Sequence, residues 1–103
     1  MKYTPILGAA LALGVAGTAQ AQTELSLWYH GAGSANAEEA LVNQMVEEFN
    51  ASQSDWKVVI ETFPQLTYND AVGAAALAGE LPDILDVDGP VMPNWAWAGY
   101  MQP

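Results

Sequence analysis

The strongest constraint on the fold is an alternation of strand-like and helix-like segments with only a few residues between them. Glu24-Leu25-Ser26-Leu27-Trp28-Tyr29 alternates apolar and other residues and reads as a first strand. It empties into the two-glycine loop His30-Gly31-Ala32-Gly33-Ser34. Asn36, with Glu39 three residues on, forms a capping-box pattern at the head of a helix. Along that helix Leu41, Met45 and Phe49 lie four apart. Val42 and Val46 widen the stripe, and Asn50 is expected to end it in a left-handed conformation. Trp56 to Phe63 reads as strand two, Pro64-Gln65-Leu66 as a breaking loop, and Thr67 to about Ala78 as a slim, Ala-rich helix closed by Gly79. Strand three is expected around Ile84, Leu85 and Val87, between Pro82 and Gly89-Pro90, and a third helix over Met92 to Met101. This order argues an α/β fold with a parallel sheet and right-handed crossovers.

The first residues read differently. Lys2 supplies a positive start, Ile6 to Gly17 is apolar and uncharged, and Ala19-Gln20-Ala21 places small residues where a signal peptidase cuts. About a dozen apolar residues fall short of the roughly 20 that span a bilayer, so residues 1–21 are expected to be a cleavable signal rather than an anchor. No cysteine follows to carry a lipid.

The chain of 103 residues has a formal net charge of −10, and loss of Lys2 would leave Lys57 as its one lysine, with no arginine. Nucleic acid and anionic membranes need a basic footprint, so neither is an expected partner. Without cysteine there is no disulfide framework. An exported segment of roughly 82 residues lacking staples has little core to stand on, so 22–103 is expected to be the start of something larger.

Spacing excludes several chemistries. Gly31-Ala32-Gly33 has Asn36 where a dinucleotide-binding turn needs its third glycine. Asp86-Val87-Asp88-Gly89 resembles the middle of a calcium loop. However, Ile84 replaces the leading acid, and Trp95 falls at the closing one. Ser34 lacks a nucleophile elbow and there is no thiol. No metal, cofactor or catalytic set is therefore expected. Trp95 and Trp97, two apart on one helix, face different sides, one into the core and the other exposed, in a pocket or against missing chain. Aromatic faces beside carboxylates suit a sugar, whose ring faces stack and whose hydroxyls donate to acids.

In order, the signal, Leu25-Ser26-Leu27-Trp28, the glycine loop and the helix ending Met45-Val46-Glu47-Glu48-Phe49-Asn50 make up the first half of a pattern. Gly79-Glu80-Leu81-Pro82-Asp83-Ile84 and Trp95-Ala96-Trp97-Ala98-Gly99-Tyr100-Met101-Gln102-Pro103 complete it. Together they resemble the N-terminal end of the extracellular solute-binding proteins of ABC transporters, the family that includes the maltose-binding protein. The resemblance runs along essentially the whole chain, although the family is several times longer. It implies a type II periplasmic-binding-protein fold: two three-layer lobes closing on a solute, of which 22–103 would be the first β-α-β-α-β-α portion of lobe one. It also implies that strands one and three are adjacent with strand two outside the first, opening a crevice at their carboxyl ends. On that basis the expected solute-binding residues are His30, Gly33, Ser34, Gln65, Asp86, Asp88 and Gly89, with Asp83 structural. The chain departs from those sugar-binding members that place a charged pair in the first loop, since Ala32 and Gly33 stand there, so the resemblance does not say which sugar. The implied function is capture of a carbohydrate in the periplasm and delivery to the permease subunits of an ABC transporter. The alternative is a secreted α/β hydrolytic enzyme with catalytic residues beyond position 103. If the signal reading is right, exported protein begins at Gln22. Intact-mass measurement of periplasmic material checks this, and a retained leader would refute it.

Overall fold

The computed structural model describes residues 20–33 and 37–102. The signal-like leader up to residue 19, the loop residue Ser34 and the proposed cap Asn36 lie outside them. Among the described residues no helix is long and apolar enough to cross a membrane.

Six elements alternate: β1 (Thr23–Tyr29), α1 (Glu38–Ser52), β2 (Trp56–Thr62), α2 (Gln65–Ala78), β3 (Ile84–Leu85) and α3 (Met92–Trp97). The architecture is α/β, an open three-stranded sheet ordered β2-β1-β3 with every pair parallel. This is the order that the resemblance implies. β1 and β2 pair along their whole length, from Thr23 opposite Trp56 to Tyr29 opposite Thr62. β3 is shorter than its apolar pattern suggests, with only Ile84 and Leu85 in the ladder opposite Leu27 and Trp28. The Asp86 N–H still donates to the Trp28 carbonyl at 3.0 Å, so the chain leaves the sheet only beyond Asp86.

Strand alternation divides the side chains between two layers. Trp28 and Leu85 pack with Phe63, Leu81, Val87 and Val91 around the buried cluster Tyr68, Val72 and Trp95, which joins α2 and α3 on one face. On the other face Leu27, Val58 and Ile84 meet Val42, Val46, Met45 and Phe49 of α1. The helix is rotated from the expected stripe: Leu41, Met45 and Phe49 are 55, 60 and 42 % exposed, while Val42 and Val46 are half-buried.

Polar ties supplement this modest core. Asp83 Oδ2 accepts from the Ser26 N–H at 2.8 Å and from its hydroxyl at 2.9 Å, and the Asp83 N–H donates back to Ser26 Oγ at 2.9 Å. The Ser26 N–H, foremost, and then its hydroxyl hold the Asp83 carboxyl below its ordinary value. The tie is therefore present above the ordinary carboxyl range and lost as pH falls through the lowered one.

Asn50 does not end α1. It is helical, and its amide donates to the Val58 carbonyl at 2.9 Å and accepts the Val58 N–H at 2.7 Å. It thereby occupies backbone groups of β2, an outer strand, that would otherwise be open to another chain.

α2 begins two residues before Thr67. Extended Pro64 precedes it, and Gln65, expected in a loop, is its first residue. Proline has no N–H and a preset φ, so it sits comfortably at a helix start. At the other end Gly79, at φ 72°, donates to the Ala76 carbonyl while Glu80 donates to that of Ala75. This left-handed glycine closure satisfies the last carbonyls. α3 is shorter than expected because the same pattern at Gly99 and Tyr100 stops it.

The two α3 tryptophans divide sharply: Trp95 is 8 % exposed and Trp97 94 %. Trp95→Ala should therefore cost about 3–5 kcal/mol and Trp97→Ala no more than about 0.5 kcal/mol. Denaturant midpoints decide it, and equal losses would contradict this packing.

Candidate functional site

β1 is followed in sequence by β2 on one side and, later, β3 on the other, so the chain reverses its direction of travel across the sheet at β1. Connections diverge there, leaving a crevice beyond the carboxyl ends of β1 and β3. The crevice is an open cleft of about 850 Å³ lined by residues from the β1–α1 loop, the start of α2 and the end of β3.

His30 leaves β1 at this point, and Asp86 and Asp88 approach it from β3. His30 Nδ1 is hydrogen-bonded to Asp86 Oδ2, and Nε2 lies 3.1 Å from Asp88 Oδ1. Each ring nitrogen faces a carboxylate oxygen, an arrangement that satisfies both as donors when the ring is an imidazolium. Beneath it the Tyr68 ring stacks at 5.3 Å between centroids and 25° between planes. The Tyr68 hydroxyl reaches the Asp86 carbonyl at 2.8 Å and the Trp28 carbonyl at 3.2 Å, joining the ends of β3 and β1. Burial, and then the negative charge of Asp86, push the Tyr68 phenol well above its ordinary value.

A second support sits beside the first. Tyr29 is buried at the end of β1, and the Glu38 carboxylate lies within hydrogen-bonding reach of its hydroxyl. Burial, followed by the Glu38 charge and hydrogen bond, raises its phenol too. The Tyr29 ring lies over Gly31, where an added Cβ would come within 2.3 Å of the ring. Glycine at position 31 is thus needed for close approach. The Gly33 N–H is already committed to Glu39 Oε2 at 3.2 Å.

Of the residues expected from sequence, His30, Gly33, Gln65, Asp86 and Asp88 line the cleft together. Gly89 is not among the lining residues. It is exposed in the turn where Val91 and Met92 donate to the Asp88 carbonyl. Ser34 lies outside the described residues. Sequence reasoning missed Tyr29 and Glu38, both of which line the cleft. Tyr29 occupies an ordinary core position in a strand, and Glu38 resembles any acid in a first helical turn. Their pairing depends on the path of the loop between them. No tryptophan lines the cleft, so the flat rings anticipated for sugar stacking are in the core, as Trp28 and Trp95 are, or elsewhere on the surface, as Trp97 is. No cluster of three or more His, Asp or Glu among the described residues is arranged to hold a metal.

No family model matches the chain, and no solved structure matches it. Over 56 residues, 54 % of the chain, it is 48 % identical to the sn-glycerol-3-phosphate-binding periplasmic proteins UgpB of Brucella abortus and Brucella suis. The matched stretch is 12 % of the length of each relative. These relatives are named as periplasmic binding proteins, and the similarity supports a solute-binding kinship for the matched stretch.

Both raised phenols work in the same direction on stability. Each contributes fully below the ordinary value near pH 10, and the contribution is lost as pH climbs through the folded value above it. Alkaline titration followed at the tyrosinate absorbance should show Tyr68 and Tyr29 ionising late and together with unfolding. Gly31→Ala should displace the Tyr29 ring and return one phenol towards the ordinary value. An unchanged titration would mean that the ring does not depend on Gly31.

Proposed function

We propose that the chain is the first part of a periplasmic solute-binding protein that captures a small hydroxylated solute, a carbohydrate, and delivers it to the permease subunits of an ABC transporter. The observation that carries this reading is the switch-point cleft, in which His30, Asp86, Asp88 and Gln65 converge from three elements. Its support is the likeness over 56 residues to periplasmic binding proteins. Carboxylates held in place by neighbours are strong acceptors for hydroxyl groups. An open, shallow wall is what one lobe contributes before a second closes over it. The work done would be lobe closure on the solute, a shift between open and closed populations without chemistry. Residues 1–21 would serve export, and 22–103 would supply the start of the first lobe.

The reading is tested on the protein from the complete reading frame, by calorimetric titration with a panel of mono- and disaccharides. At least one should bind, and Asp88→Ala should weaken it by about 1.5–3 kcal/mol, the cost of losing a hydrogen bond to a charged group. The circular dichroism spectrum should stay unchanged. The isolated 22–103 segment should show no measurable sugar binding. An unaltered affinity in Asp88→Ala returns Asp88 to the turn, and tight binding by the segment alone refutes the two-lobe reading.

A further inference from the structure

We infer that this wall of the cleft is a charge filter, admitting a neutral, hydroxyl-bearing solute and rejecting its phosphate ester, with Glu38 as a specificity-determining residue positioned by Tyr29. The inference rests on the cleft being the solute site.

Among the described residues three carboxylates, Glu38, Asp86 and Asp88, line the cleft, and neither lysine nor arginine does. Lys57 is remote from it, paired with Glu24 at 3.6 Å near the amino ends of β1 and β2. Among the described residues His30 is the only basic side chain in the wall, and both of its nitrogens are already engaged by Asp86 and Asp88. A phosphate needs free donors or cations, preferably several. The remaining positive features are the start of α2 at Gln65 and Leu66 and the start of α1 at Glu38, each of which helix dipole arguments value at about half a charge. Roughly one positive charge from two helix starts does not offset three carboxylates, and the one imidazole of the wall is already held between two of them.

Glu38 is the carboxylate of the three that His30 does not engage, and it lines the cleft while holding the Tyr29 hydroxyl. Its place is set by the buried Tyr29 hydroxyl, and that ring is in turn seated against Gly31. Like charges brought together discriminate between partners more sharply than they change the affinity for a neutral one. The solute expected for this wall is thus neutral, unlike the anionic sn-glycerol 3-phosphate for which the Brucella relatives are named.

The test uses the complete protein and matched pairs: glycerol and glycerol 3-phosphate, glucose and glucose 6-phosphate, trehalose and trehalose 6-phosphate. Calorimetry should find a neutral member bound at least about tenfold more tightly than its ester. Glu38→Gln keeps an acceptor for Tyr29 but removes the charge. It should tighten ester binding by on the order of tenfold and change the neutral parent's Kd less than about threefold. Tyr29→Phe should narrow the same ratio, with no further effect in the Glu38→Gln background, a readout that general destabilisation would not move. An ester bound as tightly as its parent by the unaltered protein overturns the filter alone. So does a ratio that Glu38→Gln leaves unmoved. Binding of neither member of any pair overturns the solute-site reading and the filter with it.

Discussion

The hydroxyl of Tyr68 is the contact on which the rest of the cleft depends. β3 contributes only two residues to the ladder, so the sheet alone holds it weakly beside β1. By reaching the carbonyls of Trp28 and Asp86 together, Tyr68 fastens the carboxyl ends of the two strands where the ladder gives out. The same ring is the floor on which His30 lies, and its own burial comes from Val72 and Trp95. One residue of α2 thus couples the hydrophobic cluster to the polar wall above it. The cost of burying a phenol is met by those two backbone acceptors.

The strand ends opposite the cleft show the same economy. Ser26 and Asp83 exchange three hydrogen bonds where β3 begins, before any apolar contact could secure it. Asn50 engages the backbone of β2, and Gln53 holds the turn into that strand by accepting from Asp55 and Trp56 while donating to the Trp56 carbonyl. These side chains imitate missing strand or turn partners. They matter in proportion to how little apolar surface the chain buries, with Leu66, Leu77 and Trp97 each more than nine-tenths exposed.

Much of this was legible in the residues. The alternation of periods gave the six elements and a parallel sheet, and the acids beyond Ile84-Leu85 marked the strand end that forms the rim. The opposed fates of Trp95 and Trp97 follow from helical spacing alone. Other features were not legible. The helix face that α1 buries is decided by rotation against Leu27, Val58 and Ile84, and a stripe of five apolar residues permits more than one rotation. Asn50 has the composition of a helix stop, but a nearby open strand edge offered its amide a better pair of partners. Gln65 follows a proline that breaks a strand and equally well starts a helix.

What the sequence by itself determined is local: where strands and helices fall, where glycine closes them, and that the chain carries acids with almost no bases. These follow from backbone stereochemistry and side-chain periodicity, which act over a few residues. Only the tertiary structure decided that His30 sits between Asp86 and Asp88, residues 56 and 58 positions away, and that Tyr29 and Glu38 share a hydrogen bond around Gly31. Those meetings depend on the order β2-β1-β3, which sets two strand ends side by side. Non-local geometry of that kind is fixed by how layers pack, and no short-range pattern encodes it.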